Sequence, residues 1–345
     1  MPSLSFIYRY CTAHSLPPFP KPNQRGYHTM GEAAKVLRSS VHAFFHSYHS
    51  YTSVAALLVF PVSGLVLLSQ AVIASSPQAL HPISSRLHSL FLAAAFPVSR
   101  PLFSILNLML SQTIFSSVFA LPFTLTLLVL AKASVIQTAS EYPRHRLLPP
   151  PFSSLLRLYS PLLLTHLFNS FLILSANAAV FSLLFLSFTA AEILGLSSSA
   201  PLLAVSSAGA VLYSIAIANT VVTCNLAVVV SAMEGCGGYP AVLRACLLIR
   251  GRVATALSLA LPINLSMAAV EALFQYRVMR AYRASSGLDL SIVSEGFTIA
   301  YIHSVLVVLE IIASCLFYKS CRESSEGGAA DHYRMELEPE DKCAV

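Results

Sequence analysis

Between Arg157 and Glu192, and again between Glu192 and Glu234, the chain carries no Asp, Glu, Lys or Arg. Two such runs in succession, each at least as long as a bilayer is thick, are not surface segments of a soluble domain. A membrane-spanning helix needs about 20 apolar residues, at about 1.5 Å of rise each, to cross about 30 Å of hydrocarbon. The pattern predicts an all-α integral membrane protein with a six-helix domain over 53–318. Its spans fall at about 53–74, 102–131, 161–191, 201–230, 253–270 and 297–318. Pro161 and Pro201 are expected at helix starts, where a missing N–H is harmless. Pro61, Pro122 and Pro262 fall inside spans, where neighbouring helices can satisfy the freed carbonyls. The apolar patch at 90–98 is too short to cross and is expected at the interface, with a re-entrant turn as the alternative.

Composition agrees: 56% of the residues are hydrophobic and 10% charged, against about 25% charged in an ordinary globular chain. The net charge of +6 comes from basic residues scattered between apolar runs, a membrane-orientation pattern rather than a nucleic-acid one. Sixteen of the 21 Lys and Arg residues fall in the N-terminal arm, the second and fourth loops and the tail. The positive-inside rule then places both termini in the cytosol. The seven cysteines form no C-x-x-C pair. They fit neither a disulfide framework nor a zinc site, although Cys321 is a palmitoylation candidate.

The N-terminal cytosolic arm is expected over 1–52, with 1–29 disordered. Its first residues, acid-free and rich in Pro, Ser and Arg, allow a transit peptide as the alternative, but no amphipathic period is visible. A plasma-membrane or endomembrane location is therefore expected rather than an organellar one. The tail, 319–345, is acidic and poor in large apolar groups, so it is expected as disordered cytosolic chain that can dock a protein partner.

After the fourth span comes Glu234-Gly-Cys-Gly-Gly238-Tyr-Pro-Ala241, running on through Arg244, Cys246, Arg250 and Gly251 to Arg252. The glycines give a flexible exit from the membrane, Pro240 opens a helix and Gly251 closes it. Tyr239, Val242, Leu243, Cys246 and Leu247 share one face. An amphipathic interfacial helix is expected here between spans 4 and 5. Its arginines would lie at the level of anionic lipid headgroups on the cytosolic side.

This stretch resembles a plant family of six-pass membrane proteins with no assigned biochemical activity. It is similar, more distantly, to the membrane domains attached to some bacterial glycerophosphodiesterases. The family pattern is a Glu, a Gly four residues on, an Ala three further, a Ser, then Leu-Leu-Lys-Gly. Glu234, Gly238, Ala241, Leu248, Ile249, Arg250 and Gly251 match at identical spacing, and Cys246 stands where the Ser is expected. The resemblance implies a family and a six-span architecture, not a reaction.

His42, His46 and His49 recur at i, i+4 and i+7, a spacing open to metal ligation. With Phe44, Phe45, Tyr48 and Tyr51 interleaved, the plainer reading is an aromatic membrane boundary, and no metal or cofactor is expected. Ser206, Ala210, Ser214 and Ala218 form a small-residue stripe suited to close helix packing. The asparagines and the glutamine in and beside the spans, Asn107, Gln112, Asn169, Asn177, Asn219, Asn225 and Asn264, serve either interhelical hydrogen bonds or a polar path.

Glu310 is the only acid inside a predicted span, and His303, seven residues earlier, shares its face. A proton or cation path can use such a pair, while the alternative is a protonated Glu bonded to a neighbouring Ser or Asn. No phosphate loop, nucleophile elbow, triad or paired-carboxylate motif is present, so an enzyme is not expected. The leading expectation is a non-catalytic scaffold or trafficking-associated membrane component. The alternative is a small-solute or ion transporter.

Overall fold

The computed structural model describes residues 22–75, 77–93, several positions between 107 and 118, 120–141, 152–193, 199–284 and 290–336. The described residues are all helical or connect helices. Among the described residues, six helices are long and apolar enough to cross a membrane: Tyr48–Ser69, Ala120–Glu141, Ser153–Val180, Ser207–Glu234, Val253–Tyr282 and Leu290–Glu323. They are called spans 1 to 6 below. A shorter apolar helix, Tyr239–Ile249, lies between spans 4 and 5.

The surfaces of these helices are apolar. Leu57, Leu68, Phe171, Leu183 and Leu265 are each more than half exposed. A water-soluble chain does not display large apolar side chains along the outside of every helix, whereas lipid solvates them as well as a protein core does.

The chain divides into two compact units. Unit 1 comprises 1–46, 136–262 and 311–345, and unit 2 comprises 47–135 and 263–310. Unit 1 is built around spans 3 and 4, which run against each other, with the short helix Tyr239–Ile249 packed on both. The same unit gathers the C-terminal ends of spans 2, 4 and 6 with the N-terminal ends of spans 3 and 5. Lys319 Nζ donates to the carbonyls of Ala139, at 2.9 Å, and Ser140, at 3.2 Å. It thereby satisfies the last carbonyls of the helix that carries span 2, a position that favours a cation. Gln137 and Ser154 exchange hydrogen bonds of 2.7 and 3.1 Å across the same end of the unit.

Unit 2 packs span 1 against parts of spans 2, 5 and 6. Leu67, Phe274, Met279, Ile299 and Ala300 form its apolar cluster, edged by Phe60, Val270 and Val278. Phe60 stacks on Phe297 at 5.7 Å. Among the described residues three π-helical turns interrupt its helices, at Ala55–Val59, Thr124–Leu128 and Gln275–Met279. The first ends two residues before Pro61, and the Phe60 N–H bonds Ala55 O, five residues back. A π turn beside a proline accommodates a ring that would clash in a regular ladder.

Several expectations shift. The helix carrying span 3 begins at Phe152, so Pro161 lies inside it rather than at its start. Span 2 continues past Lys132 to Glu141, because Ala131, Ala133, Val135, Ile136 and Ala139 are all buried. Residues 102–106 of the expected second span lie outside the described residues. The last helix runs to Glu336, beyond the end expected near 318, and 337–345 lie outside the described residues. In the arm, helix begins at Pro22, while 1–21 lie outside the described residues. It stops at His46 and a new helix begins at Tyr48, so His42, His46 and His49 do not share one continuous helix. Among the described residues no three His, Cys, Asp or Glu gather as metal ligands. Cys321 is buried at 4% exposure, which argues against palmitoylation there. Ser214 of the small-residue stripe is exposed rather than packed. Of the patch at 90–98, Leu90 and Leu92 are exposed on the helix Pro77–Ala93.

Three of the asparagines bond across helices. Asn169 Nδ2 donates to Cys224 O at 2.8 Å across spans 3 and 4. The Tyr213 hydroxyl donates to Asn177 Oδ1 at 2.7 Å, and Asn107 Nδ2 donates to Ser84 Oγ at 2.8 Å. Each removes a polar group from lipid by bonding a different helix.

Candidate functional site

The 234–252 segment folds as an elbow. Span 4 ends at Glu234, Gly235 turns at φ +68°, and Gly238 turns again at φ +74° to start the short helix. Gly238 is required for a second reason: its N–H donates to Thr165 Oγ1 at 2.9 Å, and a Cβ there would meet Leu164 at 3.3 Å. Gly237 lies closer still to span 3, where a Cβ would come within 2.9 Å of Pro161 O. Pro240 occupies the first turn of the helix, where its missing N–H leaves nothing unsatisfied.

Thr165 is the buried hub. Its hydroxyl accepts from Gly238, shares a hydrogen bond of 2.9 Å with Ser231 Oγ, and lies 2.8 Å from Pro161 O. Above it, Glu234 uses both carboxylate oxygens: Oε1 accepts from the Tyr318 hydroxyl at 3.0 Å, and Oε2 pairs with Arg244 Nη1. The hydrogen bond and then the charge of Glu234 raise the Arg244 pKa above its ordinary value, so the guanidinium keeps its charge. Gly251, at φ +83°, closes the helix, and the Arg252 N–H returns to Ile249 O at 2.8 Å.

The residues expected on one apolar face of the short helix divide between protein and surface. Ala241, Val242, Ala245 and Ile249 are buried, while Tyr239 and Leu247 are exposed. Small residues at 241 and 245 let the helix lie close on spans 3 and 4, so the large apolar groups turn outward with Arg244 and Arg250. Cys246 is half-buried. Phe168 meets the Tyr239 ring edge-on at 6.0 Å.

Thus Glu234, Gly238, Arg244, Arg250 and Gly251 do belong to one local structure. Tyr318, Thr165 and Ser231 complete it and had no local signature. The expected pair of Glu310 and His303 is different. Both lie on span 6, seven residues apart, about 10 Å along the axis, and His303 faces other partners. His303 Nδ1 lies 3.0 Å from Ser63 Oγ of span 1, and Nε2 lies 3.8 Å from Glu271 Oε1 of span 5. Glu271 falls one residue past the expected end of span 5 but well inside the observed Val253–Tyr282. About two turns further along, Arg277 Nε donates to Glu295 Oε1 at 2.6 Å, and Arg280 sits over the Tyr276 ring.

The elbow pairs differ in weight. Tyr318→Phe removes a buried hydroxyl's bond and is expected to lower stability by about 1 kcal/mol. Arg244→Ala is expected to change little, because the guanidinium is more than half exposed and exposed ion pairs contribute weakly. Equilibrium unfolding of both variants in detergent checks the order.

Six long apolar helices with lipid-compatible surfaces define a multi-pass membrane protein. A family model described as a domain of unknown function, DUF8558, matches residues 26–328. The chain belongs to that family. No curated protein and no solved structure matches it.

Proposed function

We propose that the protein is a non-catalytic scaffold or trafficking-associated component of the plasma membrane or an endomembrane, with both termini and the elbow on the cytosolic side. The observation that carries this reading is the elbow itself. Glu234, Thr165 and Gly238 spend their hydrogen bonds inside the chain. Their role is to hold the short helix, which turns Tyr239, Arg244, Leu247 and Arg250 outward. A rigid platform of arginines and large apolar groups suits anionic headgroups at an interface. The sidedness draws on the Lys and Arg distribution and on the even-span ends gathered in unit 1. The tail is the second surface that can take a protein partner.

Proximity labelling from the tail, beside a flux assay on protein in liposomes, tests the proposal. A stable set of labelled membrane-trafficking or scaffold partners, reduced when Arg244 and Arg250 are changed to Glu, is the expected result. Solute or ion flux without stable partners overturns it in favour of transport.

A further inference from the structure

Three spans of unit 2 converge on one imidazole. His303 is 5% exposed; its Nδ1 is engaged by Ser63, and its Nε2 has no hydrogen-bond partner. The facing group is Glu271 Oε1 at 3.8 Å, beyond the range of about 2.7–3.2 Å of an N–H···O bond. Either tautomer leaves this gap. With the proton on Nδ1, donated to Ser63 Oγ, the Nε2 lone pair faces a carboxylate oxygen at 3.8 Å. With the proton on Nε2, the Ser63 hydroxyl donates to Nδ1, and the N–H stops short of the carboxylate.

We propose that His303 and Glu271 form a proton-binding site within the membrane-spanning bundle. One proton passes from a hydronium ion to the Nε2 lone pair: the N–H bond forms as one O–H bond of the hydronium breaks, and water leaves. The pair passes from a net charge of −1 to an imidazolium–carboxylate pair with none. Neutralising a charge removed from water is favourable, and paired His and Glu are the groups through which membrane proteins move protons. Around the site, span 1 contributes the uncharged Ser63, and span 5 contributes Glu271 with Arg277 beyond it. Span 6 itself carries Glu295 and Glu310, two turns to either side of His303.

Glu271, at 36% side-chain exposure, is the outward member of the pair. An open groove of about 580 Å³ between spans 5 and 6 runs from the Arg277–Glu295 pair past Thr298 to Ile302, the residue beside His303. Its Tyr276 and Arg277 come from the π turn Gln275–Met279, and such turns recur at functional sites. The site goes beyond the scaffold reading and stands independently of it.

Nitrogen-15 NMR of histidine-labelled full-length protein in lipid nanodiscs tests the proposal, with the His303 signal identified by its loss in His303→Gln. Lowering the pH from about 8 to about 5, the range in which imidazole chemistry operates, is expected to convert the wild-type signal from one neutral tautomer to a doubly protonated ring. Glu271→Gln is expected to keep the ring neutral over the same range. A His303 signal that stays neutral in wild type throughout overturns the proposal, as does a protonation undisturbed by Glu271→Gln. A signal that answers to sodium at fixed pH instead of to pH also overturns it. The wild-type series decides even if the Gln variant fails to fold.

Discussion

Gly237→Ala is expected to loosen the elbow more than a methyl added at Gly31, Gly64, Gly235, Gly238, Gly251 or Gly296. The new Cβ would sit 2.9 Å from Pro161 O, 3.0 Å from Pro161 Cα and 3.3 Å from its Cβ. The obstacle is backbone of span 3, so no side chain can swing aside, and the short helix or span 4 must move. Overpacking of this kind costs about 1–3 kcal/mol. Gly235→Ala should cost less, from its positive φ alone, because nothing lies within 4 Å of its added Cβ. The opposite sign is expected at Gly64, inside span 1, where a Cβ also meets nothing within 4 Å. There Ala removes backbone freedom from a helix and should stabilise by about 0.5–1 kcal/mol. Unfolding of the three variants in detergent, followed by loss of helical circular dichroism, measures the order. Equal losses at positions 235 and 237 would contradict the close approach.

Thr165→Val is expected to cost as much by a different route. Valine fills nearly the same volume but offers neither donor nor acceptor, so the buried Gly238 N–H and Ser231 hydroxyl lose their partner. Each buried polar group left unpaired costs about 1–3 kcal/mol, and lipid around the bundle supplies no substitute. Thr165→Ser keeps the hydroxyl and should restore most of the loss. If Val is as stable as wild type while Ser is not, the methyl group rather than the hydrogen bonds holds the elbow.

These two residues mark what could be read from the chain and what could not. The charge-free runs on either side of Glu192 identify spans 3 and 4 because lipid forbids charge over that length. Span ends are less legible. A lone charge such as Lys132, Glu271 or Arg277 closes an apolar run on paper. The helix continues past each of them, because its hydrogen-bond ladder does not stop at a charged side chain. Reading span 5 to 270 hid Glu271, and with it the true neighbour of His303.

The glycines at 235, 238 and 251 announce a turn, a second turn and a helix end, all three at positive φ. Thr165, Ser231 and Tyr318 announce nothing, since single hydroxyls in apolar runs look alike. Their bonds join residues 66, 73 and 84 positions apart. Which residues of the short helix pack on protein was not legible either. Periodicity of large apolar groups finds a greasy side, which can face lipid or protein: Val242 is buried with the small Ala241 and Ala245, while Tyr239 and Leu247 are exposed.

The proposed topology puts both termini and the elbow on one side of the membrane. Glycosylation-acceptor tags placed one at a time test it most directly. The positions are both ends, the elbow at 235–238, between spans 3 and 4, and between spans 5 and 6, in protein inserted into microsomes. Tags between spans 3 and 4 and between spans 5 and 6 should be modified, and those at the termini and the elbow should not. Modification of one terminus without the other, or of the elbow, would contradict the account.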